Sequence, residues 1–245
     1  MANKSKIIKE FRRIKALGFI KSKRLNDTGI GKTFEDYLGV DENNLKDPDF
    51  EGYEVKSHRK TSSSYVTLFT KSPTNPKGAN ALLREKFGKP EGKFKVKAVR
   101  TSIFSNKWNN FNNIYNFKII VNKKNKSIDL LSKSGNSVKS TIECSWTFEE
   151  LQSAFEKLNS LFFVTAERQK KRVHEYFHYT NATIFNQPSF ENLLKLIDDG
   201  KIMVDLRLGV YSSGKNKGKA HDHGTGFRIQ SDDLKLLYSD VFAVS

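Results

Sequence analysis

Asp49-Phe50-Glu51-Gly52-Tyr53-Glu54-Val55-Lys56 is the stretch on which the reading of this 245-residue chain turns. Glu51 to His58 has the composition of a strand, and a strand's period of two puts Glu54 and Lys56 on one face. Tyr53 and Val55 then point the other way, into a sheet. Asp49 ends the loop just ahead of the strand. A carboxylate pair so placed can hold a divalent cation, with a backbone carbonyl such as that of Val55 as a further oxygen ligand. A lysine beside it can orient the attacking water and stabilise charge on a phosphate. Hydrolysis of a phosphodiester needs this set of groups. The triplet alone is weak, because Glu91-Gly92-Lys93 and Asp233-Leu234-Lys235 satisfy the same pattern in a lysine-rich chain. Such triplets are mostly surface ion pairs. The aspartate five residues earlier and the strand context separate Glu54 and Lys56 from them, as does the strand expected over Ser64 to Thr70 as partner.

Charge points the same way. There are 43 Lys+Arg against 27 Asp+Glu, a formal net charge of +16, with 12% aromatic residues and 19 Phe. That is too much core material for a disordered basic tail, and the excess positive charge suits a polyanion. A nucleic acid is the partner this charge suggests. Cys144 is the single cysteine, which excludes an internal disulfide and a Cys-based zinc site and fits a reducing bacterial cytoplasm. No run of about 18 apolar residues would span a membrane, and the charged N-terminus lacks the apolar core of a leader peptide.

The remaining pattern intermixes helices and strands. Ile7, Ile8, Phe11, Ile14 and Leu17 recur at helical spacing before Gly18. A short helix is expected from about Lys32 to Leu38, an acidic loop over Asp41 to Asp49, and a helix over Ala79 to Phe87. Lys93 to Ser105, Tyr115 to Asn122 and Ser127 to Leu131 are β-rich and read as antiparallel. Thr147 and Glu150 form a capping box. Leu161 to Ala166 reads as a buried strand, Phe190 to Asp199 as a helix, Lys201 to Gly209 and Thr225 to Gln230 as strands, and Ser231 as the start of a last short helix. The fold class is α/β with a mixed sheet flanked by helices, arranged as two lobes around a cleft.

Two familiar motifs carry little. GIGKT (Gly29 to Thr33) lacks the first glycine of a phosphate loop, Asn26 standing there, and no apolar strand precedes it. His174-Glu175-Tyr176-Phe177-His178 matches H-E-x-x-H, but its β-favouring surroundings and the absence of a third ligand favour ordinary packed or solvated histidines. More informative is Lys201 to Gly209. One face is apolar (Ile202, Val204, Leu206, Leu208), and the other carries Met203, Asp205 and Arg207. An exposed Asp and Arg on a rigid strand can read base edges, the arginine a guanine and the aspartate a cytosine amino group; an ion pair between them is the competing reading. Arg228 faces outward from the next strand. Between the two strands, Lys215, Lys217 and Lys219 are spaced by small residues so that they can follow a phosphate backbone. His221 and His223 can donate to bases or phosphates.

Four ordered blocks resemble the MvaI/BcnI group of type II restriction endonucleases, on its MvaI side. They are GIGKTFED (Gly29 to Asp36), Asp49 with Glu54-Val55-Lys56, LFTKSPTNPKGAN (Leu68 to Asn80), and VDLRLG with SGKNKGKAHDHGTGFRI (Val204 to Ile229). The similarity is weak from about Phe87 to Glu143. The resemblance implies the PD-(D/E)XK nuclease fold, shared with the mismatch-repair nicking enzyme MutH, with Pro48 standing for the proline of that motif. It implies a single nuclease chain acting as a monomer on double-stranded DNA: a catalytic lobe of about 1–90 plus 146–185, and a recognition lobe of 190–235 with part of 91–145. The implied catalytic residues are Asp49, Glu54 and Lys56, with Glu35 as a supporting acid and Mg²⁺ held by Asp49, Glu54 and the Val55 carbonyl. The implied base readers are Asp205, Arg207, His223 and Arg228. Lys71, Lys77, Lys215, Lys217, Lys219 and His221 are the remaining expected DNA contacts. The target implied is CCWGG cut before W, or a CCNGG or CCSGG relative, with a cytosine methyltransferase as the other half of the system. A MutH-like nickase and a DNA-binding protein without catalysis are the rival readings.

Overall fold

The computed structural model describes residues 3–24, 28–40, 48–60, 65–92 and 95–244. In chain order the elements are α1 (Lys4–Ala16), β1 (Ile20–Lys21), α2 (Gly29–Leu38), β2 (Glu54–Arg59), β3 (Tyr65–Thr70), α3 (Ala79–Phe87), β4 (Lys89–Pro90) and β5 (Lys97–Ile103). There follow β6 (Asn109–Phe111), β7 (Tyr115–Asn122), β8 (Ser127–Ser134), β9 (Thr141–Thr147), α4 (Phe148–Phe155), β10 (Ser160–Lys171) and β11 (His174–Pro188). The last are α5 (Phe190–Asp198), β12 (Ile202–Val210), β13 (Ala220–Asp222), β14 (Gly226–Gln230) and β15 (Tyr238–Val244). They form two compact units. The first takes the described residues of Met1–Ser64, Glu156–Ser189 and Leu234–Ser245; the second takes Tyr65–Phe155 and Phe190–Asp233. No helix among the described residues is long and apolar enough to cross a membrane. The expected acidic loop lies outside the described residues over 41–47, as does Asn26.

The first unit is one sheet with two helices on a face. β2 pairs in parallel with β10, β10 antiparallel with β11, and β11 is shared along its far edge by β1 and β15. Alternation along the strands gathers Tyr53 and Val55, Phe162, Val164 and Ala166, and Phe177 and Tyr179 on one side, against Ile7, Phe11 and Ile14 of α1 and Ile30, Phe34 and Leu38 of α2. Between Tyr179 and Asn181 the register with β10 shifts by one residue. This bulge resets the parity of β11, so Ala182 and Ile184 face the same core as Phe177 and Tyr179. Phe162 sits at the centre, with the rings of Phe11, Phe34 and Tyr53 around it at 5.9 to 6.4 Å. The buried Tyr179 hydroxyl donates to Ile30 O at 2.6 Å, which satisfies it inside an apolar layer.

The second unit has two antiparallel sheets. One has the order β3-β14-β12-β5-β4, with β13 beside β12, and the other β6-β7-β8-β9. β12 is central and buried along nearly its whole length. Phe69 and Phe227 stack at 4.9 Å, with Trp146 edge-on to Phe227 at 5.7 Å. Trp146 donates its indole N–H to Lys71 O at 2.8 Å. Ser105 donates to the carbonyls of Ile197 and Asp198, groups the last turn of α5 cannot satisfy itself.

Three sequence expectations change. β3 does not partner β2; it pairs with β14, and β2 pairs with β10 about a hundred residues later. Residues 65–90, expected with the first lobe, therefore pack in the second unit. The helix expected from Lys32 begins at Gly29, because GIGKT forms its first turns. A side chain at Gly29 would meet Arg24 O at 2.3 Å and Ser22 Oγ at 2.5 Å, so that glycine serves close packing and not a phosphate. The last short helix does start at Ser231, as a 3₁₀ helix over Ser231–Leu237 that leads into the edge strand β15.

The packing predicts a graded response. Phe162→Ala should cost about 3–5 kcal/mol through the cavity it leaves. Val173→Ala, at a position 72% exposed, should stay within about 0.5 kcal/mol of the parent. Denaturant midpoints measure both, and equal losses would contradict the core assignment.

Candidate functional site

β2 is an edge strand of its sheet among the described residues. It is buried on one face by Tyr53 and Val55 and turns Glu54 and Lys56 to the other. The parallel register with β10 places Glu54 opposite Leu161 and Lys56 opposite Phe163, so Glu54 is set in apolar surroundings. Its side chain is only 7% exposed. Oε1 accepts from Lys56 Nζ at 2.8 Å. Oε2 is buried and faces Lys157 Nζ at 3.0 Å as an ion pair. Asp49 comes to the same place because its Oδ2 accepts from the Val55 N–H at 2.9 Å, and its Oδ1 lies 3.9 Å from Lys157 Nζ.

The charges are interdependent. Burial raises the Asp49 carboxyl above its usual range and the charge of Glu54 adds to that, while the Val55 N–H and the two lysines oppose it. Burial also works to raise Glu54, but Lys56 and Lys157 outweigh it and hold that carboxyl low. Burial works to lower Lys157, yet the carboxylates of Glu54, Asp49 and Glu35 raise it overall. Glu35, on α2, thus acts on the cluster through its charge. Among the described residues no group of three or more His, Cys, Asp and Glu side chains gathers to hold a metal. A buried carboxylate and a second carboxylate beside it, next to the backbone of a strand at the sheet's edge among the described residues, form a hard oxygen donor set. It suits Mg²⁺, which commonly takes one or two carboxylates and fills the rest of its shell with water and substrate phosphate.

The second constellation belongs to the other unit. Asp205 is nearly buried on the central strand β12, not exposed as the alternation suggested, because β5 and β14 flank it on both sides. Its Oδ1 accepts from Ser102 at 3.1 Å, and its Oδ2 accepts from Arg228 at 2.9 Å and lies 4.0 Å from Arg207 Nε. Arg228 also donates to Tyr65 O at 3.0 Å, and Arg207 Nε donates to Gly224 O at 3.0 Å. The ion pair weighed for this strand, Asp205 with Arg207, is only a 4.0 Å approach; Asp205 pairs closely with Arg228 of β14 instead. The arginine planes are held while part of each guanidinium stays accessible, 34% for Arg207 and 26% for Arg228. Asp205, Arg207, His223 and Arg100 line one concavity of about 610 Å³. Tyr211, His221 and His223 form a ring stack, at 3.9 and 3.8 Å between successive centroids. Burial, His221 and the nearby arginines lower His223 below the usual histidine range, so its ring is neutral near pH 7.

Not every expected residue is free. Lys215, Lys217 and Lys219 are exposed on the β12–β13 connection and Lys77 is exposed ahead of α3, but Lys71 is paired with Glu150. His174 and His178 lie on β11, a strand and not a helix. Four residues along a strand span roughly 13 Å, so the two imidazoles cannot share a metal. His178 Nε2 instead sits 3.2 Å from Lys15 O, and Glu175 pairs with Arg168 and Arg59. Sequence reasoning missed Lys157 and Arg100. Nothing in their local pattern marks a lysine or arginine among 43; only the register Arg207↔Arg100 and the end of α4 bring them in.

No curated protein sequence matches this chain significantly. The model of the MvaI/BcnI restriction endonuclease family matches residues 8–238. Among solved structures, restriction endonuclease MvaI in complex with its cognate DNA substrate is 35% identical with a TM-score of 0.91, over 98% of both chains. MvaI in the absence of DNA is 35% identical with a TM-score of 0.64, over 100% of this chain and 99% of the other. With its α/β sheets, its Asp49–Glu54–Lys56 constellation and this match over nearly its whole length, the chain belongs to the MvaI/BcnI family of type II restriction endonucleases, which are site-specific deoxyribonucleases.

Proposed function

We propose that the chain hydrolyses DNA at CCWGG, cutting before W, with Mg²⁺ as cofactor and the first unit as its catalytic lobe. A CCNGG or CCSGG relative is the nearest alternative target. The observation that carries the chemistry is the buried Glu54, with Lys56 on one oxygen and the other oxygen turned toward Asp49's neighbourhood. Asp49, Glu54 and the Val55 carbonyl would hold the cation, with Glu35 supporting from α2. When bound, the cation supplies charge neutralisation at the scissile phosphate and a more acidic water. Lys56 orients the attacking water and offsets charge on the phosphate. The water attacks phosphorus in line, the bond from phosphorus to the 3′ oxygen breaks, and 5′-phosphate and 3′-hydroxyl ends remain.

The second unit would read the sequence. Arg207 and Arg228 offer guanidinium donors to guanine O6 and N7, Asp205 fixes them and can accept from a cytosine amino group, and neutral His223 offers one donor and one acceptor. Lys77, Lys215, Lys217, Lys219 and His221 would follow the backbone, with Lys71 released from Glu150 to join them. A monomer with one catalytic centre cuts the duplex by two sequential nicks. A cytosine methyltransferase, without physical contact, would protect the host's own sites, and the enzyme would work in the cytoplasm.

Digestion of a fully sequenced phage DNA, with every end mapped, tests the whole reading. Mg²⁺ should give discrete fragments ending at CCWGG and EDTA should give none. On a supercoiled single-site plasmid, a nicked species should rise and then fall. Nicks that never become double-strand breaks would move the chain to the repair-nickase reading, and intact DNA in Mg²⁺ would refute catalysis. Lys56→Ala should abolish cutting while retaining specific binding in Ca²⁺; loss of binding would assign Lys56 to recognition instead. Arg207→Ala should cost about 1–3 kcal/mol at one base pair. Lys217→Ala should weaken binding evenly across sequences and lower the salt slope by about 1. The reverse pattern would exchange the two roles.

A further inference from the structure

Lys157 is the one cation at the carboxylate cluster that the proposed chemistry leaves without work. It stands on the 3₁₀ turn Glu156–Leu158 between α4 and β10. Its backbone is anchored, since Leu158 is fully buried and its carbonyl accepts from the Tyr238 hydroxyl at 3.2 Å, while Asn159 N donates to Glu156 O at 3.0 Å. The side chain reaches from this fixed point to place Nζ 3.0 Å from Glu54 Oε2 and 3.9 Å from Asp49 Oδ1. Those are the two carboxylates assigned to the cation. Lys56 differs: it contacts Glu54 through the other oxygen, Oε1.

We infer that Lys157 is a built-in counter-ion that occupies the cation's place between Asp49 and Glu54 and must withdraw when the divalent ion binds. A nearly buried carboxylate cannot stay ionised without a partner, and the group standing against Glu54 Oε2 is Lys157 Nζ at 3.0 Å. The ammonium supplies that partner and keeps the two carboxylates preformed. A lysine is suited to being displaced: its charge is compact, its four-carbon stem is flexible, and it holds no bidentate geometry to be broken. About a third of the Lys157 side chain is exposed, so the head can move outward to water while the turn stays in place. Two cations cannot hold one position. The protein alone therefore binds the divalent ion weakly, and Lys157 is a positioning residue for the metal site, acting through Asp49 and Glu54.

The inference rests on Asp49 and Glu54 being the cation ligands, and the test separates the two ideas. Ca²⁺ is titrated calorimetrically into the DNA-free protein, and melting is followed in EDTA and in Ca²⁺. Lys157→Met, which keeps the stem and removes the charge, should bind Ca²⁺ about tenfold tighter, within the usual range for coupled binding. It should also melt lower than the parent in EDTA and recover in Ca²⁺. Should the Met variant not fold, Lys157→Gln, which keeps a donor for Glu54, should show the same tightening. Unchanged or weaker Ca²⁺ binding in the folded variant overturns the inference. Glu54→Gln is the control: if it binds Ca²⁺ as the parent does, the ligand assignment itself fails, whereas loss of binding there with no change at Lys157 sinks only the counter-ion role.

Discussion

The parallel pairing of β2 with β10 is the constraint on which the first unit and the proposed catalytic cluster depend. It fixes Tyr53 and Val55 in the layer under α1 and α2, beside Phe162 and Val164. Because side chains alternate, the same register forces Glu54 and Lys56 onto the opposite face, against Leu161 and Phe163. A slip of one residue would send Glu54 into the Phe162 cluster and Val55 to the site. The position of Glu54 is thus set by apolar packing on the face it does not share. A parallel pair also needs a long crossover. Here the chain leaves after β2 and returns at Glu156, and most of the second unit is built in that interval. The catalytic strand pair therefore closes late along the chain, at the entropic cost of a long loop.

The reading of β2 from sequence holds because it uses only local information. Period-two alternation, a preceding aspartate and a flanking loop suffice to place Glu54 and Lys56 together, and α1 is equally plain from Ile7, Phe11 and Ile14. Partnership is different. YVTLFT lies nearest to β2 in the chain and has the strand pattern, yet it joins β14, where Phe69 stacks on Phe227 and Trp146 packs edge-on to that ring. Hydrophobic pattern says that a strand has an inner face and not whose face it meets. β15 escaped for the opposite reason. It is an edge strand, mostly exposed from Ser239 to Ala243, and carries no alternation to detect.

The recognition residues show a further limit. Alternation along β12 separates Asp205 and Arg207 from the apolar positions, but it cannot tell a solvent face from a second buried face. In a central strand flanked by β5 and β14, Asp205 is enclosed, and its carboxylate orients Arg228. Arg100 is invisible in sequence because its significance is a cross-strand relation. It stands directly opposite Arg207, and like charges so opposed repel. Glu91 at 2.7 Å relieves Arg100, while Gly224 O and Asp205 relieve Arg207.

These two arrangements share one electrostatic logic. In the catalytic unit, Asp49, Glu54 and Glu35 act together on Lys157, so carboxylates outnumber the two ammonium groups. In the second unit, Arg100 and Arg207 line one concavity with the nearly buried Asp205, Arg228 pairs with Asp205, and the neighbouring His223 resists protonation there. One cluster is short of positive charge and the other short of negative charge. Lys157 offsets part of the first imbalance from within, by standing against Glu54 and Asp49, while a further acid beside Arg207 would fill the place proposed for a base edge. In the proposed function, a divalent ion and the edges and phosphates of DNA would carry the missing charges. Apolar packing elsewhere, centred on Phe162 in one unit and on Phe69, Phe227 and Trp146 in the other, supplies the stability that lets both clusters stay unbalanced until those partners arrive.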